Sequence, residues 1–344
     1  MKQIGIYVVV VAPVVWALLF VPGCTRPSDE AVEIEVEPPE TVEAEVETRQ
    51  QGQPVELALK FMPADSTTYK VAFETGKSVQ WEGSAPKPEK FQGGRTSNRM
   101  EMTFSQQIES VDDQGTAVAK ITIKELKYVA TIKDRIVLDF DSSRETDHGS
   151  PLNNLIGRSY AIELTTSGQV SRIVDASDSL AAASADKTAV ALLSDDAIRQ
   201  RHTVAALPAA GENRLHAGEN WSNLKSVSFD MMGAKSYERI YTLKEVRNTG
   251  DGRVAIAEME AVPSVANARE SHKEPATDAF SKMFDNTGSY TGELKLNLTE
   301  GKVVESREEL LVEWFIVDPN PKEGQPPAAL KMAATRLFGI AKVD

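Results

Sequence analysis

One thiol, Cys24, is the chain's entire cysteine content. A lone thiol excludes an internal disulfide framework and any cysteine-rich zinc site. Histidine is almost as scarce: His148, His202, His216 and His272 are scattered, with no metal-ligand spacing. No HExxH, GxSxG or CxxC occurs, so the motifs that announce zinc hydrolysis, serine nucleophiles or dithiol chemistry are missing, and no cofactor is implied. A basic stripe is missing too, which argues against a nucleic-acid partner. The net charge is −13, but the segment Asp29–Thr48 alone holds nine carboxylates and no base. Outside that segment the chain of 344 residues is close to charge balance, and its 41% apolar content is ordinary for a protein with a sizeable core.

Long apolar runs are confined to the N-terminus. After Met1-Lys2-Gln3 comes the uncharged stretch Ile4–Val21, and the run ends Val21-Pro22-Gly23-Cys24. Basic, then apolar, then small is the layout of an export signal. The ending resembles the lipobox of bacterial lipoproteins, in which a small residue precedes a cysteine that is lipidated and becomes the new N-terminus. Gly23 and Cys24 match, Val21 is an accepted apolar residue, and Pro22 departs from the pattern. The resemblance implies lipidation at Cys24 and attachment to the cell envelope, with the membrane unspecified. Two other readings stay open. An apolar run of this length is just long enough for an uncleaved membrane anchor, and a plain secretory signal with an incidental cysteine is the third. All three place the remainder outside the cytoplasm.

From residue 24 to 54 the chain reads as an acidic tether. Val32-Glu33-Ile34-Glu35-Val36-Glu37 has the period of a strand, but Pro38-Pro39 interrupts it and one face would carry only like charges. Self-repulsion favours an extended, solvated spacer.

Residues 55–344 read mostly as strand. Met100, Met102 and Phe104 alternate with Glu101, Thr103 and Ser105. Ala117, Ala119, Ile121 and Ile123 alternate with their neighbours, as do Tyr160, Ile162 and Leu164, and Leu294, Leu296 and Leu298 against Lys295 and Asn297. One apolar face and one wet face are the mark of antiparallel sheet. Asp112–Gly115, Ser167-Gly168, Asn248–Gly252 and Glu300-Gly301 supply hairpin turns. The segment 327–343 is compatible with strand or helix.

Several features recur in order. Ser150-Pro151 opens a short helix presenting Leu152, Leu155 and Ile156, followed by Gly157-Arg158-Ser159-Tyr160, a strand, and Gly168-Gln169-Val170. Thr277 opens one presenting Phe280, Met283 and Phe284, followed by Gly288-Ser289-Tyr290, a strand, and Gly301-Lys302-Val303. This predicts a duplication, with one half over 55–176, a helical connector over 177–208, and a second half over 209–344. In the connector Ser194 is placed to cap a helix, with Asp195 and Asp196 early and Arg199, Arg201 and His202 late, suiting the helix dipole. Val190, Leu193 and Ala197 form its sheet-facing side. Pro208–Glu219 reads as loop before a strand over Trp221–Met231.

Two local patterns have chemical namesakes. Ile136–Asp141 resembles the strand-plus-DxD opening of haloacid-dehalogenase-like phosphatases, but Ser142-Ser143-Arg144 and antiparallel neighbours make Asp139 and Asp141 surface residues at a strand end. Gly76-Lys77-Ser78 resembles a P-loop terminus and is read as a hairpin turn. Trp81, Trp221 and Trp314 are read as core anchors.

The order of lipoprotein signal, tether, duplicated strand-turn-strand unit and Gly218-Glu219-Asn220-Trp221 looks like an uncharacterised bacterial lipoprotein family over roughly residues 55–344. The pattern also resembles the half-barrels of periplasmic lipoprotein carriers, which hold acyl chains. The resulting expectation is a mainly β, α+β domain: a curved antiparallel sheet or half-barrel from two related halves, covered by a central helix. The function expected is non-enzymatic: an extracytoplasmic lipoprotein, held to the membrane by its N-terminal lipid, that binds an apolar ligand or an envelope protein. The alternative is a structural or interaction lipoprotein with a filled core, and a hydrolase stands behind both.

Overall fold

The computed structural model describes residues 53–83, 93–184, 186–229, 232–250, 252–264, 285–317 and 327–343. Cys24, the tether and the triplet Phe280, Met283 and Phe284 lie outside these residues, so the second half of the proposed helix repeat does too.

The period-2 pattern becomes long strands: β1 Val55–Glu56, β2 Ser66–Glu82, β3 Gly94–Val111, β4 Ala117–Ile132, β5 Arg135–Asp141, β6 Ser159–Leu164 and β7 Val170–Asp175. After three helices come β8 Arg214–Leu215, β9 Asn220–Ser228, β10 Ala234–Thr249, β11 Gly252–Ser264, β12 Asp285–Asn297, β13 Lys302–Val317 and β14 Ala329–Lys342. The segment 327–343 is thus a strand, its Ala334 and Ile340 buried. The α-helices are α1 Ser177–Ala183, α2 Lys187–Leu192 and α3 Asp195–His202, and Glu145–Asp147 and Pro151–Leu155 form short 3-10 helices, the second capped by Ser150 with Leu152 and Leu155 buried.

Every strand pair is antiparallel, and one open sheet runs β7-β6-β4-β3-β2-β14-β13-β12-β11-β10-β9, with β5 added against β4. The order is two meanders in series. β2, β3, β4, β6 and β7 fill one side, β9 to β13 repeat that sequence order on the other, and β14 joins them by pairing with both β2 and β13. The fold class is therefore mainly β with few helices, as the patterning predicts, and the sheet does not close into a barrel.

The inner face is where the apolar residues go. Met102, Phe104, Ala117, Ala119, Ile121, Ile123 and Ile162 are all fully buried. The turns are those predicted: Gly115, Gly168, Gly252 and Gly301 all adopt positive φ, which a glycine reaches without Cβ strain. At the first turn Asp112 Oδ1 accepts from the backbone N–H groups of Gln114 and Thr116 at 2.9 and 2.8 Å. Register shifts at Thr103/Phe104, Ile108/Ser110 and Leu243/Glu245 mark bulges, which bend a sheet and increase its twist.

The curl is large. β2 and β9 lie six strands apart, which would be about 29 Å on a flat sheet, yet Phe73 of β2 and Val227 of β9 line one cavity. The helical segment spans the concavity. α1 is anchored by Ser179 Oγ donating to the Ser159 carbonyl at 2.7 Å. Beyond α3, Val204 N donates to Gly168 O at 2.8 Å at the β6–β7 turn. One and two residues further, the carbonyls of Ala205 and Ala206 accept from Asn223 Nδ2 and Trp221 Nε1 of β9 at 2.9 and 3.0 Å. The two free edges, which would otherwise offer unpaired backbone groups, are thus bridged by one strap.

Several details differ from the sequence reading. The helical connector consists of three short helices, the last opening after Ser194. Ser194 does cap α3, accepting from Ala197 N at 3.3 Å, but the break at Leu193 shifts the helical phase. Leu193 and Ile198 are buried, whereas Val190 is 40% exposed and faces away from the sheet. His202 is not a charged complement to a helix end: it is 4% exposed. Gly76-Lys77-Ser78 lies inside β2 rather than in a turn. Gly76 faces Thr335 of β14, where a Cβ would stand 2.5 Å from its hydroxyl oxygen. Gly288 is likewise within β12, so Tyr290 sits in mid-strand where Tyr160 stands near the start of β6. Asn297 faces inward and holds the β12–β13 turn, its Oδ1 accepting from Thr299 N and Glu300 N. The stretch 208–219 contains β8, which pairs with β1.

Candidate functional site

Inward positions of β10 read Tyr237, Arg239, Tyr241, Leu243, and those of β13 read Ser306, Glu308, Leu310, Val312, Trp314. Each series places one charged residue on an otherwise uncharged face. The curl brings the two charges together across three strand spacings. Arg239 Nη1 donates to both Glu308 oxygens, at 2.8 and 3.0 Å, and its Nε to Asn223 Oδ1 at 2.7 Å. Tyr241 and Tyr290 hydroxyls donate to the same carboxylate at 3.2 and 2.6 Å. Burial and then the Glu308 charge hold both phenols well above their ordinary pKa. All four groups are therefore committed to one another.

A second polar contact lies under α3. Tyr160 and His202 join through Oη and Nε2 at 2.6 Å, with Phe104 edge-on to the imidazole at 4.7 Å between centroids. Burial, and secondarily the Arg201 charge, hold His202 well below its usual pKa. The imidazole is thus neutral, and its geometry is that of a satisfied core residue.

Between this layer and the strands lies a cavity of about 340 Å³. Val71, Phe73, Met100, Tyr128 and Phe338 form its sheet wall, and Ala191, Leu192, Ala197 and Gln200 of α2 and α3 its helical wall. A smaller cavity of about 90 Å³ adjoins it, sharing Phe73, Gln200 and Phe338 and reaching Arg239, Tyr290 and Glu308. Two further depressions, of about 450 and 590 Å³, lie along β2 and β14 away from the helices, and polar side chains such as Ser78 and Gln80 line both. Unlike those two depressions, the helix-covered space combines an apolar lining with convergent polar groups, the usual character of a small-molecule site.

Asp139 and Asp141 are at the surface on β5. Asp139 pairs with Arg144 at 2.9 Å and Asp141 with Lys127 at 3.0 Å, and neither faces a cavity wall. Trp221 and Trp314 are core residues, at 8% and 3% exposure, while Trp81 is half-buried. Among the described residues no group of three or more His, Cys, Asp or Glu side chains converges as a metal site.

No protein-family model matches the chain, and no curated protein matches it. Among solved structures, a lipovitellin structure concerned with lipid–protein interactions aligns over 83% of this chain at 11% identity, with a TM-score of 0.36. The chain spans about a quarter of that protein, 26% of its length. DynF from the dynemicin biosynthesis pathway of Micromonospora chersina aligns over 83% of this chain and 84% of its own, at 7% identity and a TM-score of 0.16. Neither likeness is close enough to bear on function.

Proposed function

We propose that this protein is a non-enzymatic, extracytoplasmic lipoprotein, tethered through lipid on Cys24, that binds an apolar ligand in the helix-covered cavity. The observation that carries the binding reading is the cavity itself. Protein interiors are close-packed with few voids larger than a water, and about 340 Å³ falls in the range of small-molecule sites. Its walls come from α2 and α3 on one side and the sheet on the other. The polar groups nearby do not favour catalysis: Glu308 is held by an arginine and two phenols, and His202 is neutral and enclosed. The test is organic extraction and mass spectrometry of the natively purified protein. A stoichiometric apolar molecule is expected, and Ala197→Phe, which adds a ring at the cavity wall, should abolish its recovery. An empty wild-type protein that also binds no apolar dye would refute the reading.

A second reading has its own observation. At the β4–β5 hairpin Ile132, Ile136 and Val137 are 51%, 66% and 57% exposed. Clustered exposed apolar residues mark contact surfaces, and this tip suits an envelope protein partner.

A further inference from the structure

The charge lining the helix-covered cavity is of one sign. Outside the acidic tether the chain is close to charge balance, yet the residues lining this space include two cations, Lys187 and Arg201, and no carboxylate. Arg201 is 3% exposed, and a guanidinium stays charged at any working pH. Its Nη2 donates to Leu192 O at 2.8 Å, and its guanidinium carbon stands 5.8 Å from the centre of the Tyr160 ring. Its Nε is buried without a hydrogen-bond partner. Among the described residues no ion pair joins Arg201 to a carboxylate; its other polar neighbour is the Tyr160 hydroxyl, which is neutral, and neighbouring His202 is uncharged. The contrast is internal to the protein. Arg239, 4% exposed, is matched by a bidentate carboxylate, an amide and two phenols around it. A buried charge left without a counter-ion is among the costlier features a fold can carry.

We infer that the cavity takes an anionic, single-chain amphiphile, its head group serving as the counter-ion of Arg201 and its hydrocarbon lying against Phe73, Met100, Tyr128 and Phe338. This rests on the apolar-ligand reading and names the ligand class. Lys187, exposed at the first position of α2, adds positive charge at the rim. At about 30 Å³ per water-sized group, the cavity holds roughly eleven such groups, which suits a chain near ten carbons. Carboxylate and phosphate heads share the required chemistry.

Calorimetric titration of the full chain with sodium decanoate, decyl phosphate and 1-decanol, each below its aggregation limit, tests this. Decanoate or decyl phosphate should bind about tenfold or more tightly than decanol, the ratio one charge-assisted hydrogen bond supports; the tighter of the two identifies the head group. Arg201→Gln should erase that preference while leaving decanol binding in place, and Arg201→Lys should keep most of it. The ligand-free Arg201→Gln protein should melt no lower than wild type. Decanol binding as tightly as both anions in wild type overturns the inference without any variant. So does an undiminished preference in Arg201→Gln. If none of the three binds, the apolar-ligand reading has failed first.

Discussion

Replacing Glu308 by leucine removes one carboxylate and strands three partners. Arg239, 4% exposed, loses its ion pair, and Tyr241 and Tyr290 lose their shared acceptor. Breaking a buried pair from one side costs about 3–5 kcal/mol, because the surviving charge stays desolvated. The phenols add little to this, since each is neutral and loses one hydrogen-bond acceptor rather than an ion-pair partner. The expected loss is therefore about 3–5 kcal/mol, on the order of 10 °C in melting temperature for a domain of this size. Urea denaturation followed by tryptophan fluorescence measures it, with an unchanged slope showing that the folded state is otherwise the same. The pairing account makes a second demand. Arg239→Met with Glu308→Leu removes both charges, so the double variant should be more stable than Glu308→Leu alone. A single-variant loss below about 1 kcal/mol, the range of exposed pairs, refutes the reasoning. So does a double variant no more stable than the single.

Other consequences can be checked separately. Cys24→Ser should release the protein from membranes or leave it unprocessed, as read by fractionation and intact mass; a native chain with Cys24 unmodified would contradict lipidation. A chain beginning near Val55 should melt with the full mature protein, because the acidic segment has too little apolar surface to offset its ordering; a drop of several degrees would show that it docks. His202 titrates lower in the fold than its unfolded value near 6.5, so below that pH the unfolded chain binds the extra proton. Its contribution is present above about pH 6.5 and is lost as pH falls toward the folded pKa, at about 1.4 kcal/mol per pH unit; His202→Gln should remove that slope. Gly76→Ala should cost about 1–3 kcal/mol through overpacking against Thr335, and Thr335→Ala should recover most of it.

The strand pattern was legible because each strand has one wet face, and period 2 survives wherever that holds. Met100, Met102 and Phe104 show this, as do the four glycine turns. Gly76 was not legible as a sheet residue: a glycine beside Lys-Ser looks like a turn unless the Thr335 side chain across the strand is known, and Thr335 is distant in sequence. Val190 failed for a related reason. A helical phase extrapolated from Val190 to Ala197 ignores the break at Leu193, which a cap at Ser194 requires.

The charged inner residues expose a deeper limit. Glu308 and Arg239 could have been found from the sequence, because each interrupts a period-2 apolar face, and a charge at an inward position needs a partner. The rule names the need without the partner, since 69 residues and three strand spacings separate the two. Arg201 gives no such signal. At the end of a short helix a basic residue already has an explanation in the dipole, and only the sheet curling beneath α3 makes it a buried charge. The same reasoning separates their roles. Inward charges that meet each other fix how far the sheet curls, since the Arg239–Glu308 contact exists only when β10 and β13 converge. An inward charge that meets no other leaves the fold carrying a cost that a bound anion can relieve. Arg239 and Arg201 are equally buried residues of one protein with opposite expectations: removing the partner of the first should destabilise the empty protein, and neutralising the second should not.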